Sequence, residues 1–300
     1  MEKSKQIDFI GIGAPKSGST WITKCLAEHP QILFSSKKSR KEIFFFNTPD
    51  GWMWNNKKVG RMSYYDKGVD WYLEQFPEYE EGKKRGEFTT SYLSDKLACK
   101  RIKEHFPNVK ILVTLRNPIE MIYSLHWFIY HGAVIDISES FEDNLEAAIF
   151  TDKGFYHKHL SKYYNAFPAR NIKVILFDDI KQDAKECIKD IYKFLGVDQG
   201  YIPDSIGKVV NSAFKPKSVL VKRLVNKSLR VIDSLHLDFL RLKIFESQFL
   251  QDVYTKMNKV QTKYPPLSKA LRKKGIEIYL EDIEKLEKLI GRDLSDWKKC

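Results

Sequence analysis

The chain has 300 residues, a formal net charge of +12 and a pI of about 9.3. Its hydrophobic content of 43%, with 15 Tyr and 19 Phe, is sufficient for a packed core. The basic excess favours anionic partners, namely nucleotides, sulfated or phosphorylated substrates, nucleic acid or an acidic membrane surface.

The four cysteines, Cys25, Cys99, Cys187 and Cys300, are far apart, which excludes a zinc knuckle and a C-x-x-C redox pair. A chain of this length rarely needs disulfides, so a reducing compartment is expected. The charged N-terminal stretch lacks the apolar segment of a signal peptide. No run approaches the ~18 apolar residues of a transmembrane helix. We therefore expect a cytoplasmic protein.

Strand and helix patterns alternate in the first 200 residues. Three apolar runs predict buried parallel strands, at Ile7–Ile12, Lys110–Leu115 and Ile172–Phe177. Each run precedes a polar turn and a helical pattern, and the predicted helices are Ser19–Glu28, Pro118–His131 and Asp183–Leu195. Gly86–Tyr92 predicts one more short strand. This alternation predicts an α/β fold, with a parallel sheet flanked by helices.

The sequence changes character after about Tyr201. Lys215–Phe245 is both basic and apolar, and a last helix is predicted from Ser268 to Ile290, before a helix-ending Gly291. We interpret residues 1–300 as a single domain. In this interpretation residues 1–200 form the α/β core with the phosphate site, and residues 201–300 form a helical C-terminal cap.

The loop after the first predicted strand is the strongest functional signal. It reads GIGAPKSGSTW from Gly11 to Trp21, so small residues, three hydroxyls and a lysine lie between a strand and a helix. Such a loop lets main-chain N–H groups converge on an anion, and the helix N-terminus adds its dipole. The sequence therefore predicts a phosphate-binding loop.

Two better-known phosphate loops do not fit this pattern. A dinucleotide fingerprint needs a glycine three places after Gly13, where this chain has Lys16. A Walker A loop needs a lysine directly after its last glycine, whereas Ser19 follows Gly18 here. Because Lys16 comes two places before Gly18, it would approach the phosphate from a different side, near the terminal anhydride bond.

The loop resembles the 5′-phosphosulfate loop of the PAPS-dependent sulfotransferases, and the similarity continues in order along most of the chain, up to a tail similar to that of bacterial members. This resemblance implies a P-loop NTPase-like α/β fold. It also implies an enzyme that moves a sulfuryl group, without metal, from PAPS (3′-phosphoadenylyl sulfate) to a hydroxyl or amine acceptor and releases PAP. The implied donor-binding residues in the loop are Lys16, Ser17, Gly18, Ser19, Thr20 and Trp21.

A second family signature is an arginine at a strand end followed eight residues later by a serine, here Arg116 and Ser124. A fork of donors and a nearby hydroxyl suit the 3′-phosphate of the donor. The resemblance also assigns Ser212 to the adenine contact and makes Lys217 a further candidate for the 3′-phosphate. Two phosphate sites after two strands match a donor with two separated phosphates.

The segment Lys41–Phe46 resembles the Lys-Glu-x-His-Phe-Phe segment of glycosaminoglycan sulfotransferases, whose glutamate is the catalytic base. Glu42 takes that place, and Phe44 stands where the family has its histidine. The second implied catalytic residue is Lys16, which would stabilise the bridge oxygen of the donor. Another carboxylate, Glu87, is expected either to line the acceptor pocket or to support Lys16.

Two other classes of function stay open at this point. The segment Val174–Asp179 is compatible with a Walker B strand that ends in a magnesium-binding aspartate. Such a strand would indicate a P-loop nucleotide kinase. The basic segment Lys215–Phe245 would suit an anion-binding or membrane-binding module. As partners we expect a small-molecule or glycan acceptor and no nucleic acid, with peripheral contact to an anionic membrane as an alternative. A carbohydrate or glycolipid is the acceptor class that the Glu42 segment indicates.

Overall fold

A computed structural model of the chain describes residues 6–35, 42–48, 53–54, 57–58, 63–132, 137–145, 147–208, 214–235, 237, 247 and 259–300. Its strands are β1 (Phe9–Gly13), β2 (Ile32–Phe34), β3 (Met53–Trp54), β4 (Lys57–Lys58), β5 (Lys84–Phe88), β6 (Lys110–Leu115), β7 (Ile172–Leu176), β8 (Phe214–Pro216) and β9 (Lys259–Gln261). Its helices are α1 (Ser19–Glu28), α2 (Gly68–Leu73), α3 (Ala98–His105), α4 (Pro118–Gly132), α5 (Phe141–Leu145), α6 (Ala148–Gly154), α7 (Tyr156–Ala166), α8 (Phe177–Gln182), α9 (Ala184–Leu195), α10 (Val219–Ser234) and α11 (Lys269–Ile290).

A five-stranded parallel sheet forms the centre of the fold, in the order β2-β5-β1-β6-β7. Every residue of β1 is buried, as expected for a strand with helices on both sheet faces. Because all five strands run in one direction, their carboxyl ends meet at one edge. Ligands of open α/β sheets bind at this edge. The predicted α/β fold with a parallel sheet is confirmed.

Two glycines in the sheet let aromatic rings lie flat on neighbouring strands. A Cβ atom on Gly11 of β1 would lie 2.1 Å from Cδ2 of Phe88, and one on Gly86 of β5 would lie 2.5 Å from the ring of Phe9. Each ring thus covers the strand beside its own. Larger residues at either glycine would push the central strands apart.

The core is divided between the two faces of the sheet. On one face, α1 and α9 pack their apolar sides on β1 and β6, around Trp21, Ile22 and Tyr192. The other face carries the larger cluster, to which α3, α4, α7 and α11 contribute. Helix α11 packs on α7 and α4 with Tyr279, Ile283 and Leu286 buried.

The residues after α11 also reach the sheet. Trp297 is buried, its main-chain oxygen accepts from Asn117 Nδ2 at 3.2 Å, and its Nε1 donates to Asp178 at 3.1 Å. Asn117 Oδ1 in turn accepts from the main-chain N–H of Ile119, at the start of α4. The turn after β6 is therefore fixed by the C-terminal part of the chain.

Several predicted boundaries differ from the structure. The strand predicted at Gly86–Tyr92 runs over Lys84–Phe88, and the chain turns at Thr89. The polar turn predicted after Ile172–Phe177 was wrong, because α8 begins at Phe177 directly after β7. Of the basic segment Lys215–Phe245, the described part is mainly α10, preceded by the short β8, which pairs with β9. Within the described residues, no helix combines the length and apolar character needed to span a membrane.

Candidate active site

The predicted phosphate loop joins β1 to α1 at the carboxyl edge of the sheet. Gly18 caps α1 with φ +90°, where a Cβ atom would lie 2.9 Å from Cδ1 of Ile180. Lys16 also has a positive φ of 57°, which is uncommon for a residue other than glycine. Lys16 is therefore held in a backbone conformation that residues other than glycine rarely adopt, as is frequent at ligand sites.

A single cavity of about 720 Å³ opens over this loop. Its volume is in the range of small-molecule and nucleotide sites. Residues from the loop, from α4 and from the start of α11 line it together. The lining residues are Pro15, Lys16, Gly18, Ser19, Thr20, Trp21, Glu42, Phe44, Thr90, Ser91, Arg116, Glu120, Tyr123, Ser124, Leu125, Phe128, Lys153, Phe177, Tyr264, Pro265, Leu267 and Arg272.

The loop side chains do not all face the cavity. Ser17 is fully buried, and its hydroxyl donates to the main-chain oxygen of Pro15 at 3.2 Å. Trp21 is largely buried and donates its Nε1 hydrogen to the main-chain oxygen of Ser205 at 3.2 Å. Lys16 faces the cavity, with its ammonium nitrogen 4.4 Å from the ring centroid of Phe128. Any contact of Ser17 with a ligand would therefore come from its main chain.

Arg116 extends from the end of β6 toward the phosphate loop. Its Nη1 donates to the main-chain oxygen of Lys16 at 3.5 Å, while Nε and Nη2 donate to Glu120 Oε2 at 3.2 and 3.0 Å. Arg272 of α11 donates to the other oxygen of Glu120 at 3.3 Å. Burial alone would raise the pKa of Glu120, but the two guanidinium groups hold it below its usual value. Glu120 thus fixes two arginines at one wall of the cavity.

Ser124 lies two turns after the start of α4 and lines the same cavity as Arg116. The structure therefore brings together the predicted Arg116–Ser124 pair and the phosphate loop. Glu120 and Arg272 were not singled out from the sequence. Glu120 lies between Arg116 and Ser124 and is recognisable afterwards by its i,i+4 spacing from Arg116. Arg272 comes from a remote helix and carries no local signal.

Glu42 lines the cavity and is held by the turn that follows β5. Both of its carboxylate oxygens accept from the hydroxyl of Thr90, at 3.0 and 3.2 Å. Two residues on, Phe44 also lines the cavity and has a φ of 55°. Lys153 of α6 was not recognised from the sequence, and it lines the cavity as well. Burial lowers the pKa of Lys153, opposed by the charges of Asp152, Asp95 and Glu42.

Glu87 is fully buried and does not appear among the described residues that line the cavity. Burial raises its pKa to about 7, although hydrogen bonds from Thr89, Tyr92 and Tyr72 act in the opposite direction. The expectation that Glu87 lines the acceptor pocket was therefore wrong. Inside the protein, its carboxylate accepts from the hydroxyl groups of Tyr72, Thr89 and Tyr92.

The Walker B interpretation does not match the surroundings of the two aspartates. Asp178 accepts from Lys181 at 2.9 Å and from Trp297 Nε1 at 3.1 Å, and Asp179 accepts from both Nη atoms of Arg292 at 2.7 and 3.2 Å. Both aspartates belong to α8, and neither is among the described residues that line the cavity. They attach Arg292 and Trp297, in the C-terminal part of the chain, to α8.

The remaining candidates for donor binding are Lys217 and Ser212. Lys217 is exposed and is absent from the described lining of the cavity, and Ser212 lies outside the described residues. His126 is fully buried, and its Nε2 lies 3.2 Å from the main-chain oxygen of Glu139. Burial lowers the pKa of His126 to about 4. We infer a structural role for His126.

Fold and site together define a P-loop-like α/β protein, with a cavity bordered by two lysines, two arginines and two glutamates. Residues 6–228 match the family model of the sulfotransferase domain. The chain therefore belongs to the sulfotransferase family. This family uses PAPS as the sulfuryl donor and yields PAP, so the predicted enzyme class and donor are confirmed at the level of the family.

The relatives include a human bifunctional heparan sulfate N-deacetylase/N-sulfotransferase 2, 26% identical over 208 residues, which are 63% of this chain and 22% of that protein. The membrane-associated sulfotransferase kil1 of Dictyostelium discoideum is 35% identical over 124 residues, which are 40% of this chain and 22% of that protein. The match thus spans about a fifth of these relatives. A sulfotransferase crystal structure from Alicyclobacillus acidocaldarius shares the fold, with a TM-score of 0.69, 22% identity and coverage of 98% and 99% of the two chains.

Proposed function

We propose that this chain transfers the sulfuryl group of PAPS to a hydroxyl or amine group of a carbohydrate-containing acceptor. The single observation that carries the proposal is the cavity lined by Lys16, Arg116, Ser124 and Glu42 together. Cationic groups of the loop and of Arg116 suit a donor with two phosphates, and a carboxylate in the same cavity suits proton removal from the acceptor.

The donor is proposed to bind along the carboxyl edge of the sheet. Its 5′-phosphosulfate would lie on the loop from Lys16 to Thr20, at the N-terminus of α1. Its 3′-phosphate would contact Arg116 and Ser124. Arg272 is added as a further donor-binding residue, because it shares Glu120 with Arg116 and lines the same wall.

The transfer itself is proposed to be a single in-line step. Glu42 accepts the proton of the acceptor hydroxyl or amine as the acceptor oxygen or nitrogen forms its bond to sulfur. The bond between sulfur and the bridge oxygen breaks, and its electron pair stays on the 5′-phosphate of PAP. Lys16 would stabilise this developing charge by contact with the bridge oxygen.

A glycan acceptor is supported by two observations of different kinds. The Glu42 segment resembles that of glycosaminoglycan sulfotransferases, and one relative is named for heparan sulfate. Aromatic side chains of Phe44, Tyr123, Phe128 and Tyr264 also line the cavity, and such rings pack against the apolar faces of sugars. Incubation with labelled PAPS and a panel of glycans, glycolipids and phenols tests the acceptor class. Label transfer only to phenols would contradict it.

Calorimetry with PAP tests the donor site. Arg116→Ala is expected to weaken PAP binding by about 3 kcal/mol, or roughly a hundredfold in Kd, because charge-assisted bonds to phosphate are lost. Arg292→Ala is the matched control, since Arg292 pairs with Asp179 on α8 and not with Glu120. Equal PAP affinity in both variants would overturn the 3′-phosphate assignment.

Turnover tests the catalytic base. Glu42→Gln keeps the size of the side chain and can still accept from Thr90, so we expect PAP affinity to be retained and most turnover to be lost. If Glu42→Gln kept its turnover, another residue would have to be the catalytic base. Transfer of phosphate from ATP that requires magnesium would instead support the kinase alternative.

Peripheral contact with an anionic membrane is proposed for α10. Leu220, Leu224 and Val231 are half exposed or more along this helix, and its sequence includes four basic residues, Lys222, Arg223, Lys227 and Arg230. Apolar and basic residues on one helix suit an interfacial helix. The Leu220→Ser/Leu224→Ser double variant should lose cosedimentation with phosphatidylserine vesicles, whereas the exposed Leu280→Ser variant should keep it. Equal binding by both would exclude α10 as the contact.

A cytoplasmic location is proposed on the basis of the cysteines. All four carry free thiols, two of them buried. A reducing compartment is compatible with this state. Fractionation of the source cells with antibody detection tests it, and recovery in a secreted or membrane-enclosed fraction would contradict it.

A further inference from the structure

Glu87 at the end of β5 is a buried carboxylate held by three hydroxyl groups. Oε1 accepts from Tyr92 at 2.9 Å and from Tyr72 at 3.1 Å, and Oε2 accepts from Thr89 at 2.6 Å. A carboxylate removed from water costs free energy unless such donors surround it. Its presence in the core therefore calls for a function that an apolar residue would not supply.

Two of the three hydroxyls have a second set of contacts. Each hydroxyl has one hydrogen, and donation to Glu87 leaves the oxygen free to accept. Thr89 Oγ1 accepts main-chain N–H bonds from Ile43 and Phe44, at 3.0 and 3.4 Å. The Tyr92 hydroxyl accepts them from Phe45 and Phe46, at 3.0 and 3.4 Å. Four consecutive N–H groups, those of residues 43–46, thus donate to two hydroxyl oxygens. Both of these hydroxyls donate their hydrogens to Glu87.

The segment that receives these contacts needs them. Residues 43–46 belong to no helix or strand, so a regular ladder does not pair their N–H groups. Phe44 has a φ of 55°, a conformation that persists only where the surroundings enforce it. Glu42 begins the same segment and lines the cavity, where Thr90, the neighbour of Thr89, holds its carboxylate. Thr90 therefore holds the side chain of Glu42, while Thr89 and Tyr92 hold the main chain of residues 43–46.

We infer that Glu87 is a positioning residue for sulfuryl transfer: through the hydroxyls of Thr89 and Tyr92 it fixes the main-chain path of residues 43–46 and so places Glu42 and Phe44 in the cavity. The inference rests on the proposed function, because it assigns significance to Glu42 as the base. Tyr72 donates to the same carboxylate from α2, whereas the N–H groups of residues 43–46 donate to Thr89 and Tyr92 in the described structure. A Tyr72 variant therefore separates positioning of the segment from support of a buried carboxylate.

Steady-state kinetics and PAP calorimetry on four variants test the inference. Tyr92→Phe and Thr89→Val each remove a hydroxyl that joins Glu87 to the segment. We expect kcat to fall by roughly tenfold to a hundredfold, because a small displacement of a catalytic group is enough for such a loss. Glu87→Gln should behave similarly, since an amide oxygen cannot accept all three hydrogens equally. Tyr72→Phe should keep kcat within about twofold of the wild type.

Donor affinity and rescue distinguish positioning from unfolding. Kd for PAP should change by no more than about twofold in all four variants, since the substitutions leave the main-chain bond from Thr89 to Gly11, at the start of the phosphate loop, in place. Thr89→Ser restores the hydroxyl and should recover the kcat that Thr89→Val loses. The inference is overturned if Tyr92→Phe and Thr89→Val keep wild-type kcat, if Tyr72→Phe loses as much, or if PAP affinity falls in parallel with kcat.

A parallel measurement of Glu42→Gln separates this inference from the proposed function. Wild-type turnover of Glu42→Gln overturns the assignment of Glu42 as base, and with it the stated purpose of the positioning. An inactive Glu42→Gln beside a fully active Tyr92→Phe overturns the positioning role alone. Loss of turnover in both, with PAP binding retained, supports both.

Discussion

Lowering the pH from 7 to 5 is expected to change the stability of two variants in opposite directions. Relative to the free energy of unfolding of the wild type, that of Glu87→Gln should fall and that of His126→Phe should rise. Both native side chains are fully buried. Burial raises the pKa of Glu87 from an ordinary 4.5 to about 7, and burial lowers the pKa of His126 from an ordinary 6.5 to about 4. The two shifts have opposite effects on stability, and their pH windows overlap.

The sign follows from proton uptake. Because the pKa of Glu87 is higher in the folded chain, the folded state binds more protons, and stability increases as the pH falls from 7 toward 4.5. Because the pKa of His126 is lower in the folded chain, the unfolded state binds more protons, and stability decreases as the pH falls from 6.5 toward 4. Between pH 7 and 5, each group changes the free energy of unfolding by about 2 kcal/mol, and the two largely cancel in the wild type.

Urea unfolding at pH 5, 6 and 7 and constant ionic strength measures this balance. The free energy of unfolding of Glu87→Gln minus that of the wild type should fall by about 2 kcal/mol from pH 7 to 5, and the same difference for His126→Phe should rise by about as much. Lys273→Ala, a substitution at an exposed position of α11, should give a flat difference. Flat differences for both buried groups would refute the reasoning.

Three further changes test the packing around the site. Gly18→Ala forces a side chain into φ +90° and against Ile180, so we expect a loss of about 1–3 kcal/mol in stability and weaker PAP binding by calorimetry. Gly275→Ala would bring a Cβ atom within 2.2 Å of Ile119 where α11 crosses α4, and about 1–3 kcal/mol should be lost in urea unfolding. Tyr279→Phe removes a 3.0 Å hydrogen bond to the main-chain oxygen of Thr151, and the free energy of unfolding should fall by about 1 kcal/mol.

Matched controls are available for these changes. Gly82 also has a positive φ, of 82°, but nothing lies within 4 Å of a Cβ atom there, so Gly82→Ala measures the backbone cost alone. Gly18→Ala should therefore be the more destabilising of the two, and equal losses would contradict the steric contribution of Ile180. Lys273→Ala is the exposed control for α11, and a loss equal to that of Gly275→Ala would contradict close packing on α4.

Local patterns were sufficient to place β6, α1 and the loop between β1 and α1. The apolar run of β6 and the helix Ser19–Glu28 were predicted with the bounds that the structure has, because burial and periodicity are properties of neighbouring residues. The start of α8 was missed because Phe177 extends the apolar run of β7, although Asp179 accepts from Leu176 N–H and begins a helix. The competing signal was hydrophobicity, which does not distinguish the end of a strand from the first turn of a helix.

The missing parts of the candidate site come from remote positions. Arg272 meets Glu120 across 152 residues, and the link from Glu87 to residues 43–46 spans more than forty. No spacing rule indicates such contacts, because the fold alone brings them together. Glu87 was singled out as a carboxylate in a family-like segment, but its direction depends on Tyr72 and Tyr92, which only the packed structure shows.

The contact between Trp297 and Asn117 has a consequence for protein synthesis. The turn that carries Arg116 is translated well before the main-chain oxygen that Asn117 binds and before the Arg272 side chain. A nascent chain would therefore contain its phosphate loop long before the cavity wall that holds both arginines is complete. Full donor affinity should accordingly appear only once Arg272 and Trp297 have been made, so the nucleotide cannot assist the folding of the sheet before that point.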